Sequence, residues 1–230
     1  SMERITIVLP VKDEEDGLQY LLDDYQKSDL KTRYEVSFIL VIDQRSSDSS
    51  TKYASRFSDI VIDQKDTTGK GAAVSQAVSH WKMDPSGMVI FMDADGSYSF
   101  SSVSRVILEL EAGSAIVSGS RFLGNRGRPE GMSRLHFFGN KSLSLISSIR
   151  NGRKISDLCT GLWGFTSEAL QKLDFKSSGF DLEAEIAGLS RRNSLPHQEV
   201  NVEWSQRKGG ISKLRSISDG FIILLRIIRT

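Results

Sequence analysis

Short apolar runs that stop at charged or turn residues recur along the first half of this chain. Four of these runs predict strands: Arg4–Leu9, Val36–Ile42, Ile60–Ile62 and Met88–Met92, the last of which fits a strand buried on both faces of a parallel sheet. The segments between them have the spacing of amphipathic helices, as at Leu18–Tyr25 and Val74–Trp81, and a further helix is expected to end at Phe57. Strands that alternate with helices predict an α/β fold with a mainly parallel sheet flanked by helices.

Charged residues follow three of the predicted strands. They occupy the loop after Leu9, the position Asp43, and the pair Asp93 and Asp95. Because ligands of open α/β sheets bind beyond the carboxyl ends of the strands, we expect a site at this edge. The Asp-Ala-Asp spacing suits Mg²⁺ or Mn²⁺ carrying a diphosphate. The alternative is that both aspartates cap a helix beginning near Ser101.

A glycine-rich helix start lies between the third and fourth predicted strands. Gly69 and Gly71 flank Lys70, so backbone N–H groups and an ammonium group could face an anion. The spacing is not that of a P-loop, and an ordinary helix start remains the alternative.

The second half of the chain departs from this alternation. Residues 123–131 are rich in glycine and arginine and predict a mobile loop, and Arg126, Arg128 and Arg134 could contact a phosphate or simply be solubilising. Leu135–Ile149 predicts a helix that is too apolar for one narrow stripe, either part of the core or lying on a membrane. Val200–Trp204 predicts an edge strand. The final apolar, arginine-containing segment from Phe221 could lie in a membrane interface, pack on the protein, or mark a cut in a longer chain.

Composition allows one sizeable domain covering residues 1–230. The formal net charge of +1 gives no indication of a nucleic-acid partner, and none is expected. The single cysteine, Cys159, rules out an internal disulfide bond.

Seven motifs follow one another along the chain. They are Leu-Pro-Val-Lys-Asp-Glu-Glu at 9–15, Val-Ile-Asp-Gln-Arg-Ser-Ser-Asp-Ser-Ser at 41–50, Gly-Lys-Gly-Ala-Ala at 69–73, Asp-Ala-Asp at 93–95, Gly-Ser-Arg at 119–121, Asp-Leu-Cys-Thr-Gly-Leu-Trp-Gly-Phe at 157–165, and Arg-Lys-Gly-Gly-Ile-Ser-Lys-Leu at 207–214. In this order they resemble the motifs of family 2 inverting glycosyltransferases with the GT-A fold. Within that family they look most like the dolichyl-phosphate mannose synthases and related polyprenyl-phosphate glycosyltransferases.

The resemblance implies an enzyme and gives its residues roles. The sugar would come from a nucleotide-diphosphate sugar (GDP-mannose or UDP-hexose), with Mg²⁺ or Mn²⁺ held by Asp93 and Asp95. Residues 1–121 would form the nucleotide-sugar half, with donor contacts from Pro10, Lys12, Glu14, Asp43, Lys70, Asp93, Ala94 and Arg121. Residues 122–230 would form the acceptor half, with candidate phosphate contacts at Arg134, Thr160, Arg207 and Lys213. Asp95 and Asp157 are the expected catalytic residues. Asp48 is expected to cap a helix rather than bind ligand.

The acceptor is expected to be a polyprenyl (dolichyl or undecaprenyl) phosphate. Its oxygen is already anionic, so Asp157 would orient groups there, whereas a saccharide hydroxyl would need Asp157 as a general base. The expected location is the cytoplasmic face of a membrane, bound peripherally, and a homo-oligomer is left open. Departures from the family motifs include Ser97, where mannose synthases can use Gln near the metal, and Asp13 in place of Asn. The alternatives are a family 2 enzyme of cell-surface polysaccharide synthesis and an inactive sugar-nucleotide-binding module.

Overall fold

Seven strands of the chain form one sheet. They are β1 (Arg4–Val11), β2 (Glu35–Asp43), β3 (Val61–Gln64), β4 (Met88–Met92), β5 (Ile116–Ser120), β6 (Leu162–Thr166) and β7 (His197–Asn201). They lie in the order β3-β2-β1-β4-β6-β5-β7, and only β6 runs antiparallel to its neighbours. This is a computed structural model, and it describes residues 2–58, 60–124, 127–213 and 216–230. The prediction of an α/β fold with a mainly parallel sheet is confirmed.

Helices cover both faces of this sheet. In the described part of the chain they are α1 (Glu15–Lys27), α2 (Leu30–Arg33), α3 (Ser50–Phe57), α4 (Lys70–Trp81), α5 (Phe100–Glu111), α6 (Arg134–Asn151), α7 (Ser167–Gln171), α8 (Leu182–Arg192) and α9 (Ser216–Arg229). The helices expected around Leu18–Tyr25, Val74–Trp81 and Leu135–Ile149 are all present, each longer than predicted. None of the helices in the described ranges is long and apolar enough to cross a membrane.

The apolar strands divide their side chains between two cores. Along β1, Ile7 and Leu9 pack into the core beneath α1 and α5, while the intervening Val8 packs into the core beneath α4. Side chains on a strand alternate between faces, so a strand covered on both sides needs a continuous apolar run. The physical basis of the strand predictions is therefore this double covering.

The antiparallel strand β6 was not predicted. Its sequence, Leu-Trp-Gly-Phe-Thr, is short and has a glycine at its centre, which normally weakens a strand. Gly164 is needed here because a Cβ atom would lie 2.4 Å from Cγ1 of Val106 on α5. Close packing of α5 on the sheet thus explains why β6 contains a glycine, and this glycine is the reason that its sequence does not predict a strand.

The last strand lies earlier in the chain than predicted. β7 pairs with β5 from His197 to Asn201, whereas Val200–Trp204 was expected to be the strand. The chain leaves the sheet after Val202, and the amide of Ser205 donates to the carbonyl of Ser97. This crossing carries the segment from Arg207 onward to the carboxyl ends of the central strands.

A third, smaller core joins α6, α8 and α9. Ala187 of α8 and Ile223 and Ile227 of α9 are buried in it, and Leu143 of α6 packs against it. The residues that α6 buries are Ser144, Ser147 and Asn151. Its exposed residues include five large apolar ones, namely Leu135, Phe138, Leu145, Ile146 and Ile149, besides Arg134 and Arg150. An ordinary surface helix buries its apolar residues, so these five exposed side chains are unusual.

Candidate active site

The carboxyl ends of β1, β2 and β4 border a cavity of about 950 Å³. Parallel pairing places these ends side by side, with Val11 opposite Ile42 and Val8 opposite Phe91. The predicted residues that line the cavity are Pro10, Lys12, Glu14, Asp43, Lys70, Asp93, Ala94, Asp95, Arg121, Arg207 and Lys213. The chain thus brings most of the predicted site to one place.

The two aspartates of the Asp-Ala-Asp motif are held from the backbone. The amide of Asp93 donates to the carbonyl of Gly161 at 3.0 Å, and a Cβ atom at Gly161 would lie 1.9 Å from Oδ2 of Asp93. Oδ1 of Asp95 accepts from the amide of Ser97 at 2.9 Å. Burial, and then the charge of Asp93, raise the pKa of the Asp95 carboxyl group. The site therefore has negative charge that a cation would stabilise.

This pair of carboxylates fits a divalent ion only in part. Within the described ranges, no group of three or more His, Cys, Asp or Glu side chains is arranged to hold a metal ion. Mg²⁺ is usually bound by one or two carboxylates together with substrate phosphates and water. Asp93 and Asp95 are suited to that arrangement, in which the ligand supplies the remaining oxygens.

Lys70 lies against Asp93 in this structure. Its Nζ is 2.7 Å from Oδ1 of Asp93 and also pairs with Oε1 of Glu183 on α8. Burial opposes the ammonium charge, but these two carboxylates outweigh it and raise the pKa of Lys70. Gly69 has φ +96°, and a Cβ atom there would lie 2.3 Å from the carbonyl oxygen of Ser178. The glycine thus lets the segment before α8 pack closely on the start of α4, next to Lys70.

A second set of ion pairs closes over the end of β1. Nη2 of Arg207 donates to Oε2 of Glu14 at 2.6 Å, and Nζ of Lys213 donates to Oε1 at 2.7 Å. Nη1 of Arg207 also lies 3.7 Å from Oδ2 of Asp95. Burial raises the pKa of Glu14 despite both cations. We call the connected charges of both sets the strand-end cluster: Glu14, Lys70, Asp93, Asp95, Glu183, Arg207 and Lys213.

Asp43 is also paired. Its carboxylate accepts from Nε of Arg45 at 3.0 Å and from Nη2 at 2.7 Å, and Oδ1 accepts from the Arg45 amide. The hydrogen bonds from Arg45 lower the pKa of Asp43. Asp48 accepts from the amides of Glu15 and Ser50, the first residues of α1 and α3. Asp48 therefore caps helices, as predicted.

Arg121 and Asp157 form a buried pair behind the cavity wall. Nε and Nη2 of Arg121 donate to the two Asp157 oxygens at 2.7 and 2.8 Å, and the Arg121 amide donates to Oδ2 at 2.9 Å. Asp157 is fully buried, whereas Arg121 lines the cavity. Glu199 of β7 accepts from the amides of Ser156 and Asp157, which fixes the loop. Asp157 thus lies behind Arg121 and does not line the cavity.

Two predicted phosphate contacts lie outside the cavity lining. Thr160 is buried. Its hydroxyl group donates to the carbonyl of Gly119 and lies 3.2 Å from the hydroxyl group of Tyr98. Arg134 is exposed at the first turn of α6. Arg126 lies outside the described residues.

The pairing of Glu183 with Lys70 and the apolar wall of the cavity were not predicted. The wall includes Met132, Leu135, Gly139 and Leu143 from α6 or the loop before it, and Gly220 and Ile223 from α9. The segment Phe180–Ile186 was expected to be helical and, from the family resemblance, to close the back of the site, but no local pattern indicates that Glu183 reaches Lys70, 113 residues away. Only the tertiary packing of α8 and α9 brings these groups to the strand ends.

Comparison with known proteins agrees with the motifs and the fold. The model of the family described as glycosyl transferase family 2 matches residues 6–174, more than half of the chain. Glycosyltransferase AglJ of Haloferax volcanii is 28% identical over 228 residues, which cover 99% of this chain and 72% of that protein. Polyprenol monophosphomannose synthase of Mycolicibacterium smegmatis is 23% identical over 222 residues, covering 92% of this chain and 81% of that protein.

A solved structure of similar fold contains a metal ion and a donor. Glucosyl-3-phosphoglycerate synthase of Mycobacterium tuberculosis, in complex with Mn²⁺, UDP-glucose and glycerol 3-phosphate, superimposes with a TM-score of 0.71 at 17% identity. The alignment covers 99% of this chain and 79% of that one. At this identity the likeness concerns the fold, which is that of the GT-A glycosyltransferases. The chain therefore belongs to glycosyl transferase family 2 and is a glycosyltransferase.

Proposed function

We propose that this protein is a metal-dependent, inverting glycosyltransferase that moves a sugar from a nucleotide-diphosphate sugar to a polyprenyl phosphate at a membrane surface. The observation that carries the proposal is the two-sided cavity. One side carries the strand-end cluster, and the other is the apolar wall from α6 and α9. A prenyl phosphate has the matching two parts, an anionic head and a hydrocarbon tail. The similarity to the mycolicibacterial polyprenol monophosphomannose synthase supports the same acceptor class.

The donor is assigned to the strand-end cluster. Lys70 and Arg207 are the cations nearest the two aspartates, and both would exchange a carboxylate for a diphosphate oxygen. Charge-assisted hydrogen bonds to phosphate are among the stronger polar contacts. Asp93 and Asp95 would hold Mg²⁺ or Mn²⁺, which neutralises the charge of the departing diphosphate. Asp43 with Arg45 would bind the nucleoside end.

The nucleophile is assigned to an oxygen of the acceptor phosphate. Asp157 is buried against Arg121, so it is not positioned to take a proton from a hydroxyl group in the cavity. An anionic phosphate oxygen needs no such help. Attack on the anomeric carbon forms a carbon–oxygen bond to the acceptor as the bond to the diphosphate breaks. A single in-line displacement of this kind inverts the configuration. Arg121, which the resemblance assigned to the donor, is instead proposed to bind the acceptor phosphate.

The outer faces of α6 and α9 are assigned to the membrane surface. Leu145 and Ile149 of α6 and Phe221 and Ile228 of α9 are exposed, each by more than half. Large exposed apolar patches commonly mark interaction sites. An amphipathic helix binds a bilayer by burying its apolar face at the headgroup boundary, and basic residues such as Arg229 favour anionic lipid.

Donor and acceptor can be tested in sequence. Nucleotide sugars are screened for Mn²⁺-dependent thermal stabilisation of the protein, and the stabilising donors are then tested for transfer to a short prenyl phosphate. A saccharide acceptor is offered in parallel. We expect transfer to the prenyl phosphate and the opposite anomeric configuration in the product. Transfer to the saccharide alone would overturn the proposed acceptor.

A further inference from the structure

Two glycines in helices line the cavity without any steric need to be glycine. Gly139 lies within α6 and Gly220 within α9, and neither has a positive φ. Apart from its chain neighbours and the backbone of its own helix, a Cβ atom at either position would meet no heavy atom of the described residues within 4 Å. Glycine destabilises a helix interior relative to alanine. What these two positions preserve is open space inside the cavity.

The other glycines of the site behave differently. A Cβ atom at Gly71 would lie 2.6 Å from the carbonyl oxygen of Ser177, and one at Gly161 would collide with Asp93. Those glycines permit close contact between parts of the protein. Gly139 and Gly220 therefore form a separate class, in which the missing side chain leaves room for something that is not part of the chain.

Apolar side chains beside this space continue to the outside, and His136 and Asn140 of α6 line the cavity next to them. Leu143 and Ile223 line the same cavity, as does Leu135, which is 61% exposed. The neighbouring Phe138 on α6 and Phe221 on α9 are exposed as well. Because α6 packs on α9, these residues lie along one boundary between the charged interior and the apolar outer faces of the two helices.

We infer that the space in front of Gly139 and Gly220 binds the first isoprene units of the acceptor's hydrocarbon tail. This inference rests on the proposed function and deepens it by assigning the tail a path between α6 and α9. A methyl-branched chain needs more width than the close contacts at Gly71 and Gly161 leave. The tail would leave the cavity beside Leu135 and continue to the outer apolar faces, while its phosphate stays near Arg121.

The path is tested by filling it. Gly139→Leu and Gly220→Leu place a side chain in the space, and the KM for a two-isoprene prenyl phosphate is measured for each. We expect KM to rise at least about tenfold, which corresponds to about 1.4 kcal/mol, with a smaller rise for Gly139→Ala and Gly220→Ala. The dissociation constant for the nucleoside diphosphate with Mn²⁺ should stay unchanged, which also shows that the variants are folded. Ser142→Leu adds the same side chain to the exposed side of α6 and should leave KM unchanged.

A photoreactive prenyl phosphate with a diazirine in its first isoprene unit gives a second measurement that needs no turnover. In the wild-type protein we expect labelling in the α6 peptide around Gly139 and the α9 peptide around Gly220, and both leucine variants should reduce it. Labelling there without sugar transfer would overturn the proposed reaction and support the tail site. Transfer with unchanged KM and labelling in both leucine variants would overturn the tail site and leave the reaction standing.

Discussion

Two groups of buried charges lie beside the same cavity but are built differently. The Arg121–Asp157 pair has three hydrogen bonds between its partners, and its carboxylate has no exposed surface. In the strand-end cluster, Lys70 divides its contacts between Asp93 and Glu183, and Arg207 divides its contacts between Glu14 and Asp95. The side chains of Asp93 and Arg207 keep 31% and 21% of their surface exposed.

The difference indicates two uses of the same chemistry. A buried ion pair whose hydrogen bonds are all formed contributes to the stability of the fold, because removing one partner leaves an unpaired charge away from water. A cluster whose cations contact two carboxylates can give up one contact when an anion or a metal ion arrives. Loss of the buried carboxylate of the pair should therefore affect stability more than chemistry, and changes in the cluster should do the reverse.

The largest effect is expected for Asp95→Asn. The substitution keeps the size of the side chain and removes a proposed metal-binding charge, so the transition state loses several kcal/mol of stabilisation. We expect transfer to fall by about 10³-fold, since each 1.36 kcal/mol is worth a factor of ten. Rates are measured over a Mn²⁺ titration, alongside the thermal midpoint, which should change little. Asp63→Asn, at an exposed position of β3, is the control. An unaltered Mn²⁺ dependence in Asp95→Asn would remove the metal assignment.

Asp157→Asn tests the other side of the comparison. Loss of the buried charge opposite Arg121 should lower the free energy of unfolding by about 3–5 kcal/mol, as for other broken buried pairs. Denaturant titration measures this loss, and Asp174→Asn, in an exposed pair with Lys176, should show little change. Per folded molecule, transfer should stay within about tenfold of wild type, because Asp157 is not proposed to act as a general base. Removal of a true general base typically costs about 10²–10⁴-fold. A collapse of the rate with donor binding intact would instead support a hydroxyl acceptor.

The sequence predicted the strand-end cluster better than the pair. Asp93 and Glu14 of the cluster could be placed together, with Asp43 near them, because apolar runs that end at charged residues identify the carboxyl ends of parallel strands. The contacts that complete the cluster were not predictable to the same degree. Glu183, which shares Lys70 with Asp93, and Arg207 arrive from α8 and from the loop after β7, and no local pattern fixes how those elements pack.

Asp157 illustrates the same limit from the opposite direction. Its motif predicted a place in the site, but its partner Arg121 lies 36 residues earlier in the chain, and its loop is fixed by Glu199 on a strand that was predicted three residues too late. Exposure to the cavity depends on that packing. The motifs therefore indicated that Arg121 and Asp157 belong near the site. The structure was needed to show that Arg121 lines the cavity and that Asp157 lies behind it.

Arg207→Ala is expected to have the next largest effect. The side chain bridges Glu14 and Asp95, so its loss removes a cation proposed to bind a diphosphate oxygen. Charge-assisted hydrogen bonds contribute about 1.5–3 kcal/mol, and the affinity for the nucleoside diphosphate with Mn²⁺ should fall accordingly. Calorimetric titration measures the affinity. Lys208→Ala, whose Nζ lies 4.7 Å from the ring centroid of Tyr20, removes the neighbouring charge and should have little effect. Equal losses in the two variants would mean that only general charge is involved.

Lys70→Met should have the smallest and the most specific effect. Loss of a site residue normally weakens binding, whereas this change should strengthen the binding of Mn²⁺ alone. The Lys70 ammonium group lies 2.7 Å from Oδ1 of Asp93 and would compete with a metal ion for that oxygen. Removing it should tighten binding of Mn²⁺ alone by about tenfold, or 1.4 kcal/mol. The same change should weaken binding of the nucleoside diphosphate when Mn²⁺ is present. Mn²⁺ binding is followed by electron paramagnetic resonance, with Lys172→Met, an exposed lysine paired with Glu168, as the control. Weaker Mn²⁺ binding in Lys70→Met would mean that the lysine supports the metal site and does not exchange with it, and the strand-end cluster would then resemble the Arg121–Asp157 pair.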